Sequence, residues 1–142
     1  MPTWEPLGTH RYYGQDDVLL FELHGLFTLA DTHGMFLASE RVEKKYGYTL
    51  TTFDARAVSG MAADARRYVG ERMRLHRPEG ATAIVGASFP IRTVISLLQN
   101  AARLFGKPIP PSLFCATVEE ALRWLELERP RFQVSHPAPR SP

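Results

Sequence analysis

Leu113-Phe-Cys-Ala-Thr-Val-Glu-Glu-Ala-Leu-Arg-Trp-Leu125 decides the fold, because a short apolar run passes through one threonine into a helical repeat. Leu113 to Ala116 have the length and composition of a buried strand. Ala121, Trp124 and Leu125 then recur at helical spacing as core residues, while Glu119, Glu120 and Arg123 face water. The stretch carries no obvious chemistry of its own. Its value is architectural, since it closes a strand-then-helix pattern that is repeated upstream.

Working back along the chain, Ala81-Thr-Ala-Ile-Val-Gly86 reads as a buried strand, and a helix follows near Ser88-Phe-Pro90, with Ser suited to an N-cap and Pro to an early helical position. Leu50-Thr-Thr-Phe-Asp54 is a short β-branched and aromatic strand, followed by a helix from about Met61 to His76 that Pro78-Glu-Gly80 breaks. Thr28 opens an earlier helix, where Thr28 and Asp31 fit a capping box with Asp in place of Glu, Gly34 is a weak point, and Tyr46-Gly47 is the C-cap. His10-Arg-Tyr-Tyr13 and Asp17-Val-Leu-Leu-Phe-Glu-Leu-His24 pair as an antiparallel hairpin around Gly14-Gln-Asp-Asp17. Helices alternating with buried strands predict an α/β fold with a mostly parallel sheet of about five strands and about four helices: a hairpin, then βαβαβα. Residues 1–8 read as an irregular lead-in, 9–128 as a single domain, and 129–142 as a Pro-rich disordered tail.

A chain of 142 residues with 44% hydrophobic and 23% charged residues is an ordinary soluble domain able to bury a core. A formal net charge of +2 implies no large nucleic-acid surface. Arg66, Arg67, Arg72, Arg74 and Arg77 make a local basic stripe, read as a solvated face among Asp64, Glu71 and Glu79. One cysteine excludes an internal disulfide, no apolar window reaches the roughly 18 residues of a membrane span, and the N-terminus lacks a signal-peptide pattern. The expected localisation is cytoplasmic.

Parallel sheets present functional groups where a strand ends and a helix begins. Three such places exist: Asp54 through Ser59-Gly60, Gly86-Ala-Ser88, and Cys115-Ala-Thr117. The Gly86–Ser88 turn, with Arg92 one turn in, is the anion candidate, although Ser88 serves equally as a plain cap and no phosphate-loop pattern is present. Asp54 reads as an acid, ligand or phospho-acceptor, or simply as a turn former. Cys115, between Phe114 and Ala116 with no histidine in local reach, reads as a buried inert thiol. His10, His24, His33, His76 and His136 show no metal-ligand spacing, so no metal and no cofactor is expected. The third helix is over-apolar. It is either a deeply buried central helix or one whose spare face, Val94, Leu98, Ala101 and Phe105, meets a partner, a second copy or a lipid.

The order of elements resembles the STAS fold, and more closely the bacterial SpoIIAA-like proteins similar to the sporulation anti-sigma-factor antagonist, a group often placed with CRAL-TRIO lipid-binding domains. The residues that carry the resemblance are Val18-Leu-Leu-Phe-Glu-Leu-His-Gly25 with Phe27-Thr28, Phe53-Asp54 with Ala65-Arg66, Val85-Gly86 leading to Arg92-Thr93, and Phe114-x-x-Thr117-x-x-x-Ala121-x-x-Trp124-Leu125. It spans roughly residues 10–127. The resemblance implies a non-enzymatic regulatory or scaffolding module acting by protein–protein contact, with small-ligand binding (lipid or nucleotide) as the alternative. An enzyme using Asp54, Ser88 or Cys115 comes last. In the antagonists a serine at the start of the second helix is phosphorylated. This chain has Ala62-Ala63-Asp64 near that place if Asp54 aligns with the preceding strand end, and Ser59 lies a few residues earlier. The expected contact surface is the loops around Asp54–Met61 and Gly86–Arg92, with the third helix as a candidate homodimer face.

Overall fold

A computed structural model describes residues 3–75, 79–104, 106 and 110–134. The elements run β1 Glu5–Leu7, β2 His10–Gln15, β3 Val18–Phe27, α1 Leu29–Tyr46, β4 Thr49–Met61, α2 Ala63–Leu75, β5 Gly80–Val85, α3 Phe89–Leu104, β6 Ser112–Cys115 and α4 Val118–Gln133. The strands form one sheet in sequence order, β1 to β6. The first three are antiparallel and β3 to β6 are parallel.

A strand order that always steps the same way, joined by right-handed crossovers, puts the crossing helices on one face of the sheet. The side chains agree. Leu19, Phe21 and Leu23 pack with Met35 and Ala38 of α1, and Ile84 packs with Ile91 and Ile95 of α3. The opposite face presents Leu50, Ala81, Ala83, Val85 and Cys115, and α4 covers it with Ala121, Leu125 and Phe132. Three helices therefore share one face and a single helix serves the other.

Local chemistry sets the boundaries. At Thr28 the capping box forms as its residues dictate: the Asp31 N–H donates to the Thr28 hydroxyl (3.2 Å) and the Thr28 N–H to the Asp31 carboxylate (2.9 Å). Gly47 ends α1 in the left-handed region at φ 87°. Thr117 caps α4, accepting from the Glu120 N–H at 3.1 Å.

Five expectations are corrected. The lead-in is not all irregular: Glu5–Leu7 adds a sixth strand, and Leu7 is buried against Gly34, whose missing side chain makes room for it. The strand expected at Leu50–Asp54 runs to Met61, because after Asp54 it loses β5 but keeps its ladder with β3, through two register irregularities. Asp54–Met61 is thus strand, not loop, and α2 starts at Ala63. The chain does not enter a tail at residue 129, since α4 continues through Pro130 to Gln133, and residues 135–142 lie outside the described residues. Finally, α3 is not a deeply buried central helix: none of its described residues is buried, and Phe89, Leu97 and Leu104 are 82%, 62% and 87% exposed.

The continuation of α4 has an identifiable cause. Asp17, buried in the two-residue turn of the hairpin, accepts two hydrogen bonds from Arg129 (both 2.9 Å) and one from the Tyr48 hydroxyl (2.7 Å). Burial by itself raises the Asp17 carboxyl, but Arg129 and Tyr48 together outweigh it and hold the group below its ordinary value of 3.8. Burial, with Asp17 as its hydrogen-bond acceptor, pushes the Tyr48 phenol up to about 12.

Two tests follow. Arg129→Met strands a buried carboxylate and should cost about 2–3 kcal/mol at pH 7, less than a fully buried pair because Arg129 retains some exposure. A depressed carboxyl stabilises above its unfolded value and loses that contribution as pH falls through its folded value. The gap in urea midpoint between the wild type and Asp17→Asn should therefore be full at pH 7 and close only as the pH falls below the ordinary carboxyl value of 3.8. Gly80 tests the sheet. Its φ is 150°, and an added Cβ would run into the backbone carbonyl of Thr49, so Gly80→Ala should destabilise by at least about 2 kcal/mol in the same assay.

Candidate functional site

The C-terminal ends of the strands hold the groups singled out from sequence, and the structure engages Asp54 and Arg92 while leaving Ser59 and Ser88 exposed. Asp54 is buried and accepts from Arg56 Nε (2.9 Å), Arg56 Nη2 (2.7 Å) and the Arg56 N–H (3.2 Å). The guanidinium is the main reason its carboxyl lies below the usual range, against the opposing effect of burial. Its register neighbour on β3, Glu22, is held low in the same way, chiefly by Arg11 at 3.1 and 3.0 Å. Both carboxylates are committed acceptors with little capacity to take up a proton near neutral pH.

Cys115 faces the α4 side, and burial raises its thiol above the ordinary value. Asp54 and Cys115 both pair with Val85 from opposite sides, so two strand spacings, about 10 Å, separate their backbones. They are not a nucleophile and its base. Ser88 is exposed at the start of α3, and its carbonyl accepts the Arg92 N–H at 2.9 Å. Arg92 turns back onto the carbonyl of Ala87 (3.2 Å) and lies over the ring of Phe114. Ser59 is exposed on β4, and Gly86 turns the chain from β5 toward α3 at φ 64°. No group of three metal-ligating side chains occurs among the described residues.

One pairing was invisible in the sequence. Buried His10 meets the Asp31 carboxylate through Nε2 at 3.0 Å, while its Nδ1 accepts the His24 N–H at 2.8 Å. A backbone donor on Nδ1 leaves the ring proton on Nε2, where it is given to Asp31. The pair has the outline of a catalytic dyad, yet neither ring nitrogen is free to act as a base. Its work is to tie β2, β3 and the cap of α1 together.

A large apolar space lies elsewhere, between the three-helix face of the sheet and α2 and α3. It is a cavity of about 290 Å³. Gly60, Val94 and Leu98, three of the positions noted from sequence, line it. Ala101 is exposed, and Phe105 lies outside the described residues. The space exists because α3 stands off the sheet: it touches β5 through Ile91 and Ile95 at its first turns, and Leu98 meets α2 at Gly70. Its walls are mostly apolar, with Phe27, Val58 and Met61 at the C-terminal end of the strands. At the other end are Thr49, Glu79, Gln99 and Ser112. Sequence reasoning missed this polar end because it looked only where parallel strands finish. The available signal was the succession, on one side of β4, of Thr49 and Thr51 followed by Phe53 and Ala55, which makes that face polar at its start and apolar further on.

No protein-family profile matches the chain, and no curated protein does. Solved structures do. The DUF3478-family protein with a SpoIIAA-like fold from Shewanella loihica PV-4 is 20% identical with a TM-score of 0.52, over 88% of this chain and 92% of that one. The anti-sigma factor antagonist SpoIIAA in its unphosphorylated form is 16% identical with a TM-score of 0.55, over 89% of this chain and 98% of that one. The Bacillus cell fate determinant SpoIIAA in its phosphorylated form is 15% identical with a TM-score of 0.52, over 87% and 98%. The fold is SpoIIAA-like. At these identities the likeness speaks for the backbone alone, and the SpoIIAA-like scaffold here carries its own side-chain chemistry. Among the described residues no helix is long and apolar enough to cross a membrane.

The state of Cys115 is directly measurable. Native protein should resist iodoacetamide at pH 8, whereas the same protein in strong guanidinium should be alkylated fully at this single site. Rapid native labelling would contradict its burial.

Proposed function

We propose that the chain is a non-enzymatic regulatory module of the SpoIIAA-like type that works by binding, and that its ligand is a small apolar molecule held beneath α3. The cavity of about 290 Å³ under a helix none of whose described residues is buried carries this reading. The space is partly open to solvent, so water reaches it, and water is a poor tenant for mostly apolar walls. An apolar ligand releases that water and gains the burial.

Protein–protein contact is the second reading, and a different observation favours it. Phe89, Leu97 and Leu104 leave α3 with large apolar side chains in solvent, which suits a partner or a second copy of the chain. The structurally similar SpoIIAA is described as an anti-sigma factor antagonist, a role exercised on proteins. Catalysis by Asp54, Ser88 or Cys115 has the least support, given how each side chain is placed. The phosphorylated SpoIIAA raises the matter of a serine switch. In this chain α2 opens at Ala63-Asp64, where the Asp64 carboxylate accepts the Ala65 N–H at 2.8 Å, and Ser59 lies back on β4.

The ligand reading is tested by filling the space. Wild-type protein should bind an uncharged fluorescent apolar dye such as Nile red with a blue shift and should melt higher in its presence. Val94→Phe should raise stability by about 0.5–2 kcal/mol and suppress dye binding. A protein that binds no dye, and that Val94→Phe destabilises as overpacking destabilises a filled core, would sink the idea. Sedimentation of the wild type against Leu97→Asp addresses the second reading: a dimer that the substitution dissociates would support it.

A further inference from the structure

We infer that the outer side of the α2–α3 layer docks on an anionic membrane surface, with Phe89, Leu97 and Leu104 entering the headgroup region and arginines meeting the lipid phosphates. The choice of a membrane rests in one respect on the ligand-binding reading above: an apolar molecule seated behind α3 has to arrive from somewhere, and a bilayer is where such molecules are held. Helix α3 has two faces. At 3.6 residues per turn Ile91, Val94, Ile95 and Leu98 point one way, and these side chains meet the sheet or line the cavity. Phe89, Leu97 and Leu104 are exposed and fall within a sector of about 80° on the opposite side. Phe89 and Leu104 stand about 22 Å apart along the axis, so the apolar tips run the length of the helix. A convex apolar line of this kind suits the soft boundary between headgroups and acyl chains, which closes around single side chains.

Charge selects the partner. Helix α3 contains no acidic residue, and Arg92 and Arg103 lie along one edge of its apolar sector. On α2 and α3 together, six arginines stand against two acids, Asp64 and Glu71. Two of the six are engaged, Arg72 by Glu40 of α1 and Arg74 by Glu71. Arg66, Arg67 and Arg103 are exposed and form no ion pair among the described residues. On the other face of the sheet α4 carries four glutamates against three arginines. The apolar tips and the positive charge thus share one side of the molecule. A second copy of the chain is a poor occupant, because a twofold pairing of α3 sets its arginines against their own copies with no acid on that helix to answer them. An anionic lipid surface meets the tips and the arginines at once, and each arginine held near it strengthens partitioning about fivefold.

The test is flotation of the full chain with vesicles of phosphatidylcholine alone and with vesicles in which about a third of the lipid is phosphatidylglycerol. The anionic vesicles should bind at least about tenfold more tightly, and the difference should shrink as salt rises to about 0.5 M and screens the surface. The double variant Arg66→Gln, Arg67→Gln should bind them at least about tenfold more weakly. Leu97→Ser should weaken binding about threefold. Arg123→Gln, on the exposed side of α4, should change it by less than about twofold. All of these side chains are exposed, so the urea midpoints should stay at the wild-type value. Equal binding to the two kinds of vesicle, or undiminished affinity in the double arginine variant, overturns the inference. So does a lipid-free dimer that Leu97→Asp dissociates, which would give α3 to a second copy. If lipid-free protein binds Nile red and no vesicle binds, this inference fails while the ligand-binding reading stands; if Nile red does not bind either, the reading beneath it fails as well.

Discussion

Asp17 is the point on which the two faces of the sheet depend. A sheet with three crossover helices on one side leaves its other side to whatever the chain supplies last, and here that is α4 alone. Leu125 and Phe132 supply the burial, but an amphipathic helix on a smooth apolar surface has little to fix its direction. The carboxylate of Asp17, gripped by Arg129 and Tyr48, provides that direction. It also anchors the last turns of α4, where Arg129 and Phe132 hold the helix in place across Pro130.

Much of this architecture was legible in the sequence, for physical reasons that differ between elements. Local signals were reliable: Thr28 with Asp31, Gly47 and Thr117 mark helix ends by hydrogen bonds that span only a few residues. The buried parallel strands were legible because both their faces are covered and apolar residues dominate their centres, Ala83-Ile-Val85 and Leu113-Phe-Cys115 most plainly. Boundaries set by distant partners were not. The strand at Glu5–Leu7 exists because β2 offers an edge, β4 runs to Met61 because β3 does, and α4 passes Glu128 because Asp17 lies 112 residues away from Arg129. None of these leaves a pattern in its own neighbourhood. The His10–Asp31 pair joins residues 21 apart and was hidden for the same reason.

The candidate site shows a sharper division. That the third helix carried more apolar surface than a simple packing role needs was readable from its composition. Which way the surplus points was not, because it depends on how far the helix stands from the sheet. The structure divides the surplus between an inner wall with Val94 and Leu98 and an outer face with Phe89 and Leu97. Attention to the C-terminal strand ends, sound for nucleotide-binding α/β folds, leads here to Asp54 and Cys115, both of which serve the scaffold.

The link from His10 to Asp31 and to the His24 N–H also bears on the order in which the molecule assembles. It lies within the first 31 residues, alongside the hairpin register, the seat of Leu7 against Gly34 and the capping box at Thr28. Every contact in that group spans far fewer residues than the 112 between Asp17 and Arg129, so its cost in chain entropy is the smaller one. All of its residues are present once the chain has been made as far as α1. The clamp at Asp17, by contrast, waits for nearly the whole polypeptide. The two ties therefore differ in reach, 21 residues against 112, and the face that α4 covers has no lid until the longer one can close.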